Sequence, residues 1–160
     1  MTQDARFEDG EEQPLRLKAL DQGDLKVISA LLQDAVLPMR ETSWQPDVNR
    51  FGLLVNRFRW EDKLNADAAK RSYERVQCMI IVDNVQGVAS MGINKNDDDQ
   101  IVSILSVRFD ENTDNSGKVT FTLAGDGALT LDVECLELSI QDVTRPYKAI
   151  SGAVPKHDLG

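Results

Sequence analysis

Between Lys118 and Val133 the apolar residues mirror one another about Asp126, and this pattern limits the possible folds more than any other feature. Val119, Phe121 and Leu123 alternate with Thr120 and Thr122, while Leu129, Leu131 and Val133 alternate with Thr130 and Asp132. A period of two puts the apolar set on one face of a pleated strand and the polar set on the other. The two runs read as a hairpin closed by Gly125-Asp126-Gly127, whose glycines supply the positive φ of a tight three-residue loop. The mirror sets Leu123 opposite Leu129, Phe121 opposite Leu131 and Val119 opposite Val133. The phase slips at Cys135-Leu136, which reads as a β-bulge near Glu134–Leu136, with a helical turn over Leu136–Val143 as the alternative.

The same rhythm governs most of the chain after Pro38. Ser43–Gln45 and Arg50–Trp60 read as a hairpin around the turn formers Pro46-Asp47-Val48-Asn49. In its second arm Leu53 and Val55 share one face while Leu54, Phe58 and Trp60 share the other. A strand that is apolar on both sides is expected to be central or sandwiched. Asn65–Lys70, polar and Ala-rich, reads as a loop, with one helical turn as the alternative. Tyr73–Val82 follows as a strand with Val76, Cys78, Ile80 and Val82 on one face. Val85–Ile93 and Ile101–Asp110 are further strands, joined by the polar connection Asn94–Gln100.

Before Pro38 the period is helical. Asp21 can cap the free amides of a first turn, and Asp24 adds negative charge where the helix dipole favours it. Leu25, Ile28, Leu32 and Ala35 fall on one stripe, and Pro38 ends the helix near Val36. Leu15–Leu20 precedes it as a short strand. The expected class is α+β: one N-terminal helix packed on a mainly antiparallel, curled β-sheet or partly open barrel of about six strands. Residues 1–14 read as a disordered acidic tail, 15–145 as a single α+β domain and 146–160 as an extended C-terminal tail.

With 18 basic against 27 acidic residues the net charge is -9, so phosphate backbones and anionic membranes meet a repulsive field. Neither nucleic acid nor membrane is an expected partner. The first 14 residues lack the basic and apolar regions of a secretory signal, which points to the cytoplasm. In such a reducing compartment Cys78 and Cys135, both in apolar stretches, are expected as free core thiols.

The stretches LKALDQGDLKVISALLQDAV (Leu17–Val36), NRFRWE (Asn56–Glu61) and LTLDVECLELSIQD (Leu129–Asp142), with SYERVQ and ILSVRF, resemble a bacterial domain-of-unknown-function family, number 2948. The likeness runs from Leu17 to about Pro155. Its motifs are a capped helix and strand patterns. The resemblance therefore implies a small soluble bacterial protein and transfers no catalytic or binding residue.

Chemistry-bearing motifs are few. The one histidine, His157, stands in a Pro- and Gly-flanked terminal stretch where nothing positions an imidazole. Asp97-Asp98-Asp99 lacks the alternating ligands and closing Glu of a calcium loop and reads as a solvated turn. No metal site, cofactor or catalytic residue is expected. The remaining candidates are four arginines on or beside strands: Arg57, Arg59, Arg75 and Arg108. Projected from neighbouring strands they would bind a small anion through bidentate contacts. Paired with Glu61, Glu74 or Asp110 they would be ordinary surface ion pairs. Trp44 and Trp60 read as core or rim packing. The functional expectation is a non-enzymatic protein-interaction or scaffold domain with an unidentified protein partner and open oligomeric state. The alternative is a small anionic-ligand binder, or a minor enzyme, with an Arg-lined pocket.

Overall fold

The computed structural model describes residues 14–70 and 73–148. The acidic tail before Pro14, His157 and all of the C-terminal tail beyond Lys148 lie outside the described residues. In chain order the elements are β1 (Arg16–Ala19), α1 (Gln22–Leu32), β2 (Val36–Pro38), β3 (Thr42–Gln45), β4 (Arg50–Phe58), α2 (Lys63–Ala69), β5 (Glu74–Val82), β6 (Val85–Met91), β7 (Ile101–Glu111), β8 (Gly117–Leu123), β9 (Gly127–Val133), β10 (Leu138–Asp142) and β11 (Tyr147–Lys148). Short 3₁₀ turns precede β3, β4 and α2.

The strands form one unclosed sheet in the order β1-β10-β5-β4-β2-β7-β8-β9-β6, with β3 beside β4 and β11 beside β5. Their pairings are antiparallel. The antiparallel class is as expected, but the described residues hold eleven strands and two α-helices, not six strands and one helix. Several of the extra strands are two to four residues long, too short for alternation to show.

Asp21 caps α1 by accepting the Asp24 amide at 2.8 Å. Leu25, Ile28, Leu32 and Ala35 are all buried. The helix stops at Leu32, four residues before Val36, because Asp34 takes a left-handed conformation (φ 67°) and turns the chain into β2. Pro38 thus ends a strand, not a helix. At Asn65–Lys70 the helical alternative holds over the loop: most of the stretch belongs to α2, which starts at Lys63 and ends at the left-handed Lys70.

β9 and β10 correct the expected bulge. The phase slip at Glu134–Leu136 is a break between strands that pair with different neighbours, β9 with β8 and β6, β10 with β5 and β1. Asp83-Asn84 makes the matching crossing from β5 to β6. The two crossings bond to each other through Asp83 N–H to Glu137 O (3.0 Å) and Glu134 N–H to Asn84 O (3.0 Å). A long antiparallel ribbon is thereby folded at its middle, and β2 joins the two halves again by pairing with β4 and β7. Cys135 lies in this crossing and is exposed, so only Cys78 is the expected core thiol; both are free. Burial, then the nearby Asp142 charge, pushes the Cys78 thiol up to about 12.

One apolar core fills the space between the halves. It gathers Leu53, Val55, Ile80, Val107, Phe121 and Leu131 with the buried stripe of α1, which lies on β7 and touches β1 and β4. Among the described residues no helix is long and apolar enough to cross a membrane.

Candidate functional site

The four arginines do not converge. Arg57 projects from the core face of β4, beyond Phe51, Leu53 and Val55, and is fully buried. Its Nε donates to Asp142 Oδ1 at 3.0 Å and its Nη2 to Asp142 Oδ2 at 2.9 Å. Nη1 and Nη2 also donate to the two oxygens of Glu61, at 2.9 and 2.7 Å. Burial by itself lowers the guanidinium pKa, but hydrogen bonds and charge from Glu61 and Asp142 outweigh it and hold the group above its ordinary value. The same contact outweighs burial at Glu61 and holds that carboxyl below the usual carboxylate range. Asp142 also accepts the Leu15 amide at 3.4 Å. This cluster clasps β1, β4 and β10, and its guanidinium has its donors directed at carboxylates and at the Phe58 carbonyl (3.3 Å).

Arg59 is buried beside it, bonded to Glu74 and 3.6 Å from Asp62. Arg108 is exposed on β7 and pairs with Asp110 at 3.1 Å. The acids named from the sequence are therefore the partners of these three, although the first two pairs are interior. Arg75 is different: it lies 6.0 Å from the Phe58 ring centroid and donates to Asn56 Oδ1 at 3.2 Å. Burial holds its pKa below the ordinary value.

A second feature was not singled out from the sequence. β4 and β5 carry apolar residues on both faces, and only one face lies on the core. On the outer face Phe58 is covered by Trp60 (4.7 Å between ring centroids) and Tyr73 (5.8 Å). Trp60 is fixed by its Nε1–H bond to the Gln33 carbonyl at 2.9 Å. Further along the same face Leu54, Met79 and Ile81 are half-buried, and among the described residues no element lies over them. They floor a hollow of about 260 Å³ rimmed by Arg40, Glu41, Gln45 and Arg50. Gly52 deepens it, since a Cβ there would come within 3.4 Å of the Ile81 Cδ1.

Cross-strand registers extend this face. Ser43, Gly52, Ile81, Ser139 and Lys18 form one row, and Leu54, Met79, Gln141 and Arg16 form the next. The apolar floor is therefore flanked by Arg40 and Arg50 on one side and by Arg16 and Lys18 on the other. Arg40 pairs with the exposed Asp99 (2.7 Å), and Arg50 and Lys18 pair with the half-buried Asp83 (2.8 Å) and Glu137 (3.1 Å). A second cleft of about 310 Å³ lies at the β8–β9 tip among Gly92, Ile101, Ser103, Gly125 and Gly127, with no charged side chain in its lining. The readable signal for the outer face was the two-sided apolarity of β4 and β5 together with a glycine inside a strand.

The fold and this face define an antiparallel-sheet protein whose buried Arg57 and Arg59 are paired with carboxylates and whose described residues leave an apolar surface on the outside of the sheet. The chain belongs to the family described as protein of unknown function (DUF2948), whose model matches residues 15–157. No curated protein and no solved structure matches it.

Proposed function

We propose that this chain is a non-enzymatic protein-interaction or scaffold domain of the cytoplasm that docks its partner on the outer face of β3, β4 and β5. The observation that carries the reading is the half-buried Leu54–Met79–Ile81 floor beside Gly52, over which the described residues place no element, while the other face of β4 and β5 lies on the core. Contiguous apolar surface rimmed by polar groups is the usual mark of a protein contact. Two free thiols suit a reducing compartment. The pairing of Arg57 and Arg59 with carboxylates weighs against an anion pocket built from the four arginines, because an anion there would have to displace an acid already held in the interior, and Arg108 stands apart from them, exposed beside Asp110.

The test is affinity capture from a native lysate with the full chain and with its Leu54→Asp variant, the variant's fold being checked by thermal unfolding. A partner held by the wild type and lost by the variant is expected. Recovery of the wild type alone, at its monomer mass, sinks the interaction role, and equal recovery by both proteins removes this face from it.

A further inference from the structure

We propose that the cleft at the β8–β9 tip binds a small uncharged ligand with an adjacent hydrogen-bond donor and acceptor, as in a lactam, on an apolar body. The cleft shares no lining residue with the hollow of the outer face, so the site is independent of the docking role.

The backbone of β7 supplies the polar edge. Strand residues turn their N–H and C=O groups alternately toward one neighbour and the other. Ile104 N–H donates to the Ala35 carbonyl at 2.8 Å and Met39 N–H to the Gln100 carbonyl at 2.9 Å, so residues 100, 102 and 104 face β2. Ile101 and Ser103 face the β8 side. There the Ser103 carbonyl accepts Ala124 N–H at 2.9 Å, while the β7–β8 ladder starts only at Ile104–Leu123. Beyond Ala124 the chain turns away through Gly125 (φ 81°) and Asp126 (φ 67°). Ile101 is thus left with one N–H and one C=O directed at the cleft, and among the described residues no strand runs beside them. Its partner on β2 is Pro38, which has no N–H to offer. A single rung suits one cis amide, whose N–H and C=O meet both groups at once, and is too short for a peptide strand.

The walls fit the same ligand. Leu123 belongs to the core and Ile93 and Val102 pack against it, so the inner side of the cleft is apolar. Its volume of about 310 Å³ lies at the small end of ligand sites, which span roughly 300–1,000 Å³. A Cβ on Gly125 would meet no atom within 4 Å, so the tip leaves one side open. Among the described residues no lining side chain is charged. Lys95 and Asp97-Asp98-Asp99 precede Gln100, Asp126 lies at the tip and Asp99 is paired with Arg40, so the surroundings carry both signs. An ion would lose hydration against walls without a counter-charge, and an anion would also meet the net charge of -9.

The test is an NMR titration of the full chain, with labelled amides and methyl groups, by ε-caprolactam, N-methyl-ε-caprolactam and hexanoate. ε-Caprolactam is expected to move the Ile101 and Ser103 amide signals and the Ile93, Val102 and Leu123 methyl signals saturably, while those of Leu54, Met79 and Ile81 stay in place. The N-methyl compound lacks the donor and is expected to bind about 3–10-fold more weakly. Hexanoate is expected to leave all these signals unmoved. Ile101→Pro removes the N–H at the first residue of a strand, where proline is tolerated, and is expected to weaken ε-caprolactam by a similar factor. Ala124→Trp, at an exposed position of the rim, is expected to abolish its binding. Absence of saturable shifts at these residues overturns the proposal, as does equal binding of the N-methyl compound or of hexanoate. Wild-type affinity in Ala124→Trp overturns it too, and that variant decides the matter if Ile101→Pro disturbs the interior Leu131 and Ile140 signals.

Discussion

Arg57 shows how one buried charge organises its surroundings. A guanidinium taken out of water must have its donors met, and Asp142 and Glu61 meet them from elements 85 and 4 residues away. Arg57→Ala leaves the buried Asp142 without its guanidinium and Glu61 with the longer 3.8 Å contact to Arg59, and we expect a loss of about 3–5 kcal/mol in urea unfolding at neutral pH. Glu61 gives the clasp a pH dependence. Its carboxyl is held below the usual range when folded, so the folded state binds its proton less readily than the unfolded state. That contribution is complete above the unfolded value of about 4.3 and is lost as pH falls through the folded one. The stability gap between wild type and Glu61→Gln should therefore be widest near pH 7 and narrow below about pH 4. A gap of constant size from pH 7 to pH 3 would show that Glu61 is not held by Arg57. The sequence carried this clasp only in part. Glu61 is four residues from Arg57, just past the end of β4, and was named as a partner, whereas Asp142 has no local relation to it, and burial of the pair depends on β10 reaching β5.

At the scale of elements, the β8–β9 hairpin is the part that alternation read best. Phe121 and Leu131 are both fully buried, as the mirror requires. The register differs by two residues: Leu123 pairs with Gly127, Phe121 with Leu129 and Val119 with Leu131. The loop is Ala124-Gly125-Asp126, because Gly125 (φ 81°) and Asp126 (φ 67°) take the positive angles and Gly127 already begins β9. A shift of two moves every residue by a full pleat and keeps its face, so the burial pattern cannot distinguish the two registers. Gly117, at the other end of β8, is set by close approach. A Cβ there would lie 2.2 Å from the Asp110 carbonyl oxygen and 2.7 Å from the Phe109 ring. Gly117→Ala must displace backbone, and we expect roughly 1–3 kcal/mol of lost stability in denaturant unfolding. An unchanged midpoint would mean that the β7–β8 turn relaxes freely.

For the whole molecule the smallest strand has a large part. β2 has three residues, yet Leu37 is buried and the strand joins the two halves of the sheet. Leu37→Ala is expected to cost about 2–5 kcal/mol. Tryptophan fluorescence, which reports Trp44 and Trp60 beside β4, should fall together with far-ultraviolet circular dichroism in one transition. Two separate transitions would show that the halves are not coupled through β2. The sequence by itself determined the local quantities: which residues share a face, where α1 is capped, where the chain turns and that β4 and β5 are apolar on both sides. These follow from sterics and from periods that act over a few residues. The tertiary structure alone decided which strands are neighbours, that Arg57 is interior and Arg108 is not, and that one of two apolar faces has no cover among the described residues. Those depend on the path of the whole chain, because ladder partners and burial are set by segments far apart in sequence, which no local period encodes.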